Sequence, residues 1–204
     1  MSLLIAWATP DRAVLAVDTS GKDMMEPSLG IRLSKVQIIP HAHCAWGLRG
    51  FYAYGVGLGW VLQSPRPIED FDELLGLLPQ VLEILRKRVL ENLPAGVDAC
   101  DASAQLAIVG WSRRQQRMLA KRCEIAHGHG RFEVQDIEHV LVAPWEDEMG
   151  EPPDPSQPGG LEALARIQVE WLRRKYGPND GGGELLTVTL SRQDIVVRRE
   201  CSFD

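Results

Sequence analysis

The chain of 204 residues is long enough for one large domain or two small ones, and its 45% hydrophobic content excludes a disordered or fibrous protein. Its 22 basic and 28 acidic residues give a formal net charge of -6, so the overall charge favours neither nucleic acid nor an anionic membrane as a partner. Four widely spaced cysteines, no secretory leader and no apolar run of ~18 residues predict a soluble, cytoplasmic protein with free thiols.

The first fifty residues have strand-like patterns. Residues 3–8 and 13–18 are apolar runs joined by a turn that contains Pro10, which predicts an antiparallel hairpin buried on both faces. After a polar loop, two further strands are predicted at residues 31–39 and 44–48.

Helical periodicity begins at Ile68. Apolar residues recur there at steps of three and four as far as Leu90, which predicts an amphipathic helix that Pro79 should kink or split. Residues 51–63 carry three glycines and predict a short or closely packed helix. Another helix is predicted over residues 161–176.

Strand patterns also occupy the rest of the chain. Residues 105–111 and 118–126 predict a second hairpin, residues 132–142 a further strand, and residues 185–190 and 195–199 a final hairpin. Hairpin connections in place of β-α-β crossovers indicate an α+β fold, with helices covering the apolar faces of antiparallel sheets.

The segment 146–160 contains four prolines and predicts an irregular loop or lid. No internal repeat is present, so the sequence predicts a single domain over residues 1–204 that contains this proline-rich loop.

Several residues near the start of the chain have a recognisable spacing. Ser2 stands at the head of the first strand, Asp18 ends the returning strand, Lys35 begins the next one, and Gly47 and Gly50 mark a tight corner. Together with a mid-chain strand that ends in Gly-Trp and a late Gly-Gly-Gly strand entry, this spacing resembles the proteasome β-subunit and HslV-like family of N-terminal nucleophile (Ntn) hydrolases.

That resemblance implies a four-layer αββα sandwich, in which two antiparallel sheets lie between helices. It also implies a hydrolase, most simply a peptidase, that cleaves amide bonds of peptide or protein substrates inside a homo-oligomeric ring. No metal and no organic cofactor would be needed.

The resemblance assigns catalytic roles to four residues. After removal of Met1, Ser2 would attack the scissile carbonyl, and its own α-amine, with a pKa of about 7.7–8.0, would act as the base. Lys35, oriented by Asp18, would lower the pKa of the nucleophile, and the backbone N–H of Gly50 would hold the oxyanion.

Three residues at the glycine corner are candidate substrate contacts. Trp46 and Leu48 flank Gly47, so they are expected near the substrate pocket, where Arg49 would favour an acidic side chain.

Other interpretations stay open. Where the family has a Ser-Gly-Ser corner, residues 142–145 are Val-Ala-Pro-Trp, which favours a catalytically inactive scaffold or binding subunit. The histidine pairs of residues 41–43 and 127–129 could hold zinc if they met. The basic residues of the 113–122 hairpin could bind phosphate, although a solvated turn is the simpler explanation.

Overall fold

Two five-stranded antiparallel sheets form the centre of the protein. The computed structural model describes residues 2–22, 30–62, 68–126 and 132–203. Its strands are β1 (Leu4–Ala8), β2 (Arg12–Asp18), β3 (Ser20–Lys22), β4 (Gly30–Arg32), β5 (Val36–Ile39), β6 (Cys44–Gly50), β7 (Ala104–Ser112), β8 (Arg117–Ile125), β9 (Gln135–Asp136), β10 (Val140–Ala143), β11 (Glu184–Ser191) and β12 (Ile195–Ser202). The first sheet has the order β10-β1-β2-β11-β12, the second has the order β5-β6-β7-β8-β9, and β3 and β4 form a separate hairpin.

Within the described ranges, three α-helices cover the outer faces of the two sheets. They are α1 (Ala53–Leu62), α2 (Phe71–Glu91) and α3 (Gly160–Tyr176). Buried side chains of α1 and α2 pack against the second sheet, whereas those of α3 pack against the first. The layers therefore run helix, sheet, sheet, helix, which is the αββα sandwich that the resemblance implied. None of the helices in the described ranges is both long and apolar enough to cross a membrane.

The N-terminal hairpin is buried on both faces because alternate residues of a strand point in opposite directions. Leu4 and Ala6 pack between the two sheets, while Leu3 and Ile5 pack against α3. The hairpin thus links both interior layers, and it carries Ser2 and Asp18 at one end.

Pro79 lies inside α2, which continues as one element from Phe71 to Glu91. The expected split is wrong because Leu78 and Leu82, on both sides of the proline, are buried in the same core. Packing against the second sheet keeps both halves in one helix, although Pro79 has no backbone N–H to donate.

Two predicted strands are each divided in the structure. The strand expected at residues 31–39 separates into β4 and β5, because the Leu33 N–H bonds to the Thr19 carbonyl at 2.8 Å and Lys35 turns inward to a carboxylate. The strand expected at residues 132–142 separates into β9 and β10, which belong to different sheets. In the proline-rich segment the described regular structure is one 3-10 turn, Asp147–Met149.

Candidate functional site

An ion pair is buried where β2 ends. The Nζ atom of Lys35 lies 2.8 Å from Oδ1 of Asp18, and the two side chains are 4% and 0% exposed. The same oxygen accepts the Leu3 N–H at 3.0 Å, and Lys35 also donates to the carbonyl of Ser20. One carboxylate therefore joins the start of β1, the end of β2 and the segment before β5.

Burial acts on both members of the pair. It raises the pKa of Asp18 and lowers the pKa of Lys35, because desolvation disfavours each charged form, while the ion pair opposes both shifts. Oδ2 of Asp18 has no hydrogen-bond partner among the described residues. The two charges thus depend on each other, and removal of one leaves the other buried and unpaired.

Ser2 lies beside this pair at the head of β1. Pairing of β1 with β2 aligns Leu4 with Val17, so Ser2 lies one residue beyond the position opposite Asp18. Ser2 is buried, with 7% of its surface exposed, yet it lines the same cavity of about 590 Å³ as Lys35. The hairpin register therefore places Ser2 just beyond Asp18, at a cavity that Lys35 also lines.

Gly50, the last residue of β6, lines the same cavity. Just after β6 the Phe51 N–H donates to the Ser103 carbonyl at 2.8 Å on the β7 side, while within β6 the Leu48 N–H donates to the Lys35 carbonyl at 3.1 Å on the opposite side. Because amides of an antiparallel strand alternate in direction, the Gly50 N–H points away from β7 and towards the Lys35 side. Gly50 has φ +99, and a Cβ there would collide with the Ser103 carbonyl, so the corner requires glycine.

Apolar side chains line most of the cavity, and they come from three parts of the chain. Its walls are formed by Ile31, Leu33, Leu48, Phe51 and Tyr52. The loop before β7 adds Cys100, Asp101 and Ser103. Sequence reasoning missed this loop, because nothing in its pattern shows that it reaches the N-terminal hairpin.

The three candidate substrate contacts divide between the two faces of β6. Leu48 lines the cavity. Trp46 is not among the lining residues; like Leu48 it is 2% exposed, and it packs among α1 and α2 in the core. Arg49 is not a lining residue either, because neighbouring strand residues point to opposite faces. Burial lowers its pKa, and Tyr176, Asp18 and Glu146 act against that shift.

Residues 142–145 lie next to β1, where the resemblance required a hydroxyl-bearing corner. Pairing of β10 with β1 aligns Ala143 with Leu4, and the Pro144 carbonyl accepts from Gln168 Nε2 at 2.9 Å. None of these four side chains carries a hydroxyl. The chain therefore lacks the Ser-Gly-Ser support at this position.

The zinc alternative depends on two histidine pairs. His43 contacts the Ser191 carbonyl through Nε2. His127 and His129 lie outside the described residues. Within the part of the chain that the structure describes, no three His, Cys, Asp or Glu side chains are grouped as a metal site would require.

No protein-family model matches the chain, and no curated protein matches it significantly. Solved structures do match. Anbu, an ancestral β-subunit, from Yersinia bercovieri superimposes with a TM-score of 0.64 at 12% identity, over 100% of this chain and 88% of that one. A Gly-1 mutant of Anbu from Hyphomicrobium sp. strain MC1 gives a TM-score of 0.62 at 14% identity, with the same coverage. The fold is the proteasome-like Ntn-hydrolase fold.

The family assignment made from the sequence is nevertheless wrong. It pointed to the proteasome β-subunit and HslV-like family, whereas no family model matches and the matching structures are Anbu proteins at 12% and 14% identity. At an identity this low, the structural match demonstrates a common fold but does not demonstrate a common activity. The chemistry of this chain must therefore be argued from its own residues.

Proposed function

We propose that this chain is an N-terminal-serine amide hydrolase, a peptidase that works as a single domain in a homo-oligomeric ring once Met1 has been removed. The observation that carries the proposal is one cavity lined by Ser2, Lys35 and Gly50, with Asp18 buried behind the lysine. A hydroxyl, a cation and an unobstructed amide are the groups that acyl transfer requires.

Acylation is the first step. The neutral α-amine of Ser2 takes the proton from the Ser2 hydroxyl as Oγ attacks the carbonyl carbon of the substrate. The Gly50 N–H donates to the oxyanion that forms. Collapse of this intermediate breaks the C–N bond, the leaving amine takes the proton from the α-ammonium, and an ester joins the substrate to Ser2.

Deacylation repeats these roles with water. The α-amine takes a proton from a water molecule as its oxygen attacks the ester, and the Gly50 N–H again stabilises the oxyanion. Collapse then breaks the bond to Oγ, which regains the proton and releases the carboxylic acid. One residue thus supplies both the nucleophile and the base.

Lys35 and Asp18 tune this nucleophile. A cation beside the hydroxyl lowers the pKa of that hydroxyl, and the 2.8 Å contact with Asp18 fixes the direction of the ammonium. The Leu3 N–H on the same carboxylate ties the residue after Ser2 to this arrangement. The pair is therefore suited to position the N-terminus as well as to stabilise charge.

Two proteins that differ by one residue test the proposal. A fusion partner cleaved directly before Ser2 yields a free Ser2 amine, while a second fusion leaves one glycine ahead of it. We expect the first protein to hydrolyse a peptide library and the second to be inactive. Ser2→Ala should abolish hydrolysis, Ser2→Thr should retain part of it, and Ser103→Ala, which removes another cavity hydroxyl, should retain most of it.

A different outcome would support the inactive scaffold. The Val-Ala-Pro-Trp sequence beside β1 favours that alternative, since it offers no hydroxyl near the nucleophile. Hydrolysis that is equal in the free and glycine-extended proteins, or unchanged by Ser2→Ala, would refute catalysis by Ser2. Sedimentation of the same samples measures whether the chain forms a ring.

A further inference from the structure

The cavity beside Ser2 contains a charge that the proposed reaction does not use. Of its described lining residues, Lys35 and Asp101 carry formal charges at neutral pH. Lys35 is paired with the buried Asp18 at 2.8 Å. Asp101 is exposed, so among the described lining residues it is the acidic group at the mouth of the cavity that a ligand can reach.

The loop that carries Asp101 is fastened to the start of α1. The Tyr54 hydroxyl donates to the Ala102 carbonyl at 3.3 Å, and the Phe51 N–H donates to the Ser103 carbonyl at 2.8 Å. Ala102 and Tyr54 are both buried. These two bonds follow Asp101 directly, so its position relative to the cavity is fixed by the core.

The walls of the cavity favour an apolar group, whereas the carboxylate at its mouth favours a cationic group. Leu33, Leu48 and Phe51 offer apolar contact along the walls. A ligand with an apolar stem and a cationic head satisfies both regions, and lysine and arginine side chains have that construction. An acidic side chain would bring its charge towards Asp101.

We infer that the Ser2 cavity accepts a basic side chain of a peptide, lysine or arginine, with its stem along Leu33 and Phe51 and its head at Asp101. This reverses the acidic preference expected from Arg49, whose side chain lies on the other face of β6. The inference rests on the proposed function for one point, that the basic residue precedes the cleaved bond.

Cys100 permits a test that does not require catalysis. Its thiol is free and exposed, and it lines the same cavity next to Asp101. The test compares the labelling rates of a cationic aminoethyl and an anionic sulfonatoethyl methanethiosulfonate, each divided by its rate with a neutral cysteine peptide. Peptide mass spectrometry separates Cys100 from Cys201, which is partly exposed, and from the buried Cys44 and Cys123.

The ratio of the two rates removes a side effect of the variants. A hydrogen bond with Asp98, together with the charges of Asp98 and Asp101, raises the pKa of Cys100. Any change in the thiolate fraction changes the labelling rates of both reagents by the same factor, so this factor cancels in the ratio of the two rates. What is left reports the electrostatic potential at Cys100, to which Asp98 and Asp101 both contribute, and the change on Asp101→Asn isolates the share of Asp101.

We expect the cationic reagent to label Cys100 about fivefold faster than the anionic one at low salt. Asp101→Asn should lower this ratio at least about twofold, whereas Asp101→Glu should preserve it. Glu138→Gln, which removes an exposed charge that is not among the lining residues, should leave it unchanged. A ratio near one in the unmodified chain, or no response to Asp101→Asn beyond that of Glu138→Gln, would overturn the inference.

A second arm measures kcat/KM for peptides with Arg, Leu or Glu before the cleaved bond. We expect Arg to be preferred over Glu, and Asp101→Asn to lower kcat/KM for Arg about two- to fivefold while sparing Leu. A preference for Glu, or for Arg that survives Asp101→Asn, would contradict the inference. If no peptide is cleaved, the proposed function fails, and the labelling ratio still decides whether the cavity favours cations.

Discussion

The Asp18–Lys35 and Asp70–Arg113 pairs each join a carboxylate to a basic side chain, an ammonium in the first and a guanidinium in the second, in opposite surroundings. In the first pair the atoms are 2.8 Å apart and the side chains are 0% and 4% exposed. In the second they are 3.7 Å apart, and the side chains are 24% and 66% exposed. Exposed pairs contribute little to stability, whereas a buried pair that is broken costs a large part of it.

The surroundings of the exposed pair explain why it is not a site. It borders a cavity of about 710 Å³ between α2 and the β7–β8 turn, comparable in size to the cavity of about 590 Å³ at Ser2. There Asp72 accepts from the Ser112 hydroxyl at 2.7 Å and from the Arg114 N–H at 2.9 Å. These charges attach the turn to the helix, so neither size nor charge alone identifies a reactive site.

The largest contrast is expected between two serines. Ser2→Ala should lower kcat/KM for peptides at least about a thousandfold, because it removes the nucleophile itself. Ser112→Ala, which removes a buried hydroxyl that bonds to Asp72, should cost about 1–3 kcal/mol of unfolding free energy and leave hydrolysis intact. Peptide kinetics and urea unfolding measure both. Equal peptidase activity in the two variants would show that Ser2 is no more important for hydrolysis than Ser112, and would contradict its role as the nucleophile.

Replacing the basic residue of each pair should lower the free energy of unfolding by very different amounts. Lys35→Met leaves the Asp18 carboxylate buried without its partner and should cost about 3–5 kcal/mol of unfolding free energy. Arg113→Met should stay within about 0.5 kcal/mol. The double variant Asp18→Asn, Lys35→Met should recover part of the loss, since no buried charge remains. Similar losses for Lys35→Met and Arg113→Met would contradict the assigned burial.

Two glycines should respond to alanine with opposite signs. Gly50→Ala meets the Ser103 carbonyl at a positive φ and should destabilise the fold by more than about 1 kcal/mol, with loss of hydrolysis. Gly76→Ala lies inside α2 beside the second cavity, has no atom within 4 Å of the added Cβ, and should stabilise the fold by about 0.5–1 kcal/mol. Thermal unfolding compares them. A stabilising Gly50→Ala would show that the corner is not constrained.

The smallest predicted effect is on pH dependence. Hydrolysis should rise as the α-amine loses its proton at about pH 7.7–8.0, because the base must be neutral. As the pH rises further, hydrolysis should fall again, and it should do so before pH 10.5, the ordinary pKa of lysine. Burial lowers the pKa of Lys35, so its ammonium loses the proton at a lower pH than an exposed lysine would. Profiles of kcat/KM against pH measure both limbs. A flat profile across the neutral range would exclude the α-amine as the base.

The sequence was most informative where two neighbouring segments form a hairpin. Ser2 and Asp18 lie at the same end of one hairpin, so alternation and turn length place them together before the rest of the fold is known. Lys35 follows within one further segment. The helices α2 and α3 could also be predicted, because their apolar periodicity is long and regular.

Other features depend on contacts between distant segments. Asp101 reaches the cavity because the Tyr54 hydroxyl holds Ala102, a contact that no local pattern encodes. Arg49 was misplaced because strand direction decides which face a side chain occupies. The strand expected at 31–39 was divided because Lys35 turns towards Asp18, which a propensity argument does not detect.

One measurement tests the central claim most directly. The chain is purified without an N-terminal tag, its intact mass is determined, and it is treated with a β-lactone that acylates nucleophilic hydroxyls. We predict loss of Met1 and one adduct, mapped to Ser2 and absent from both Ser2→Ala and a glycine-extended chain. A retained Met1, or a chain that has a free Ser2 and forms no adduct there, would contradict catalysis by the N-terminal serine.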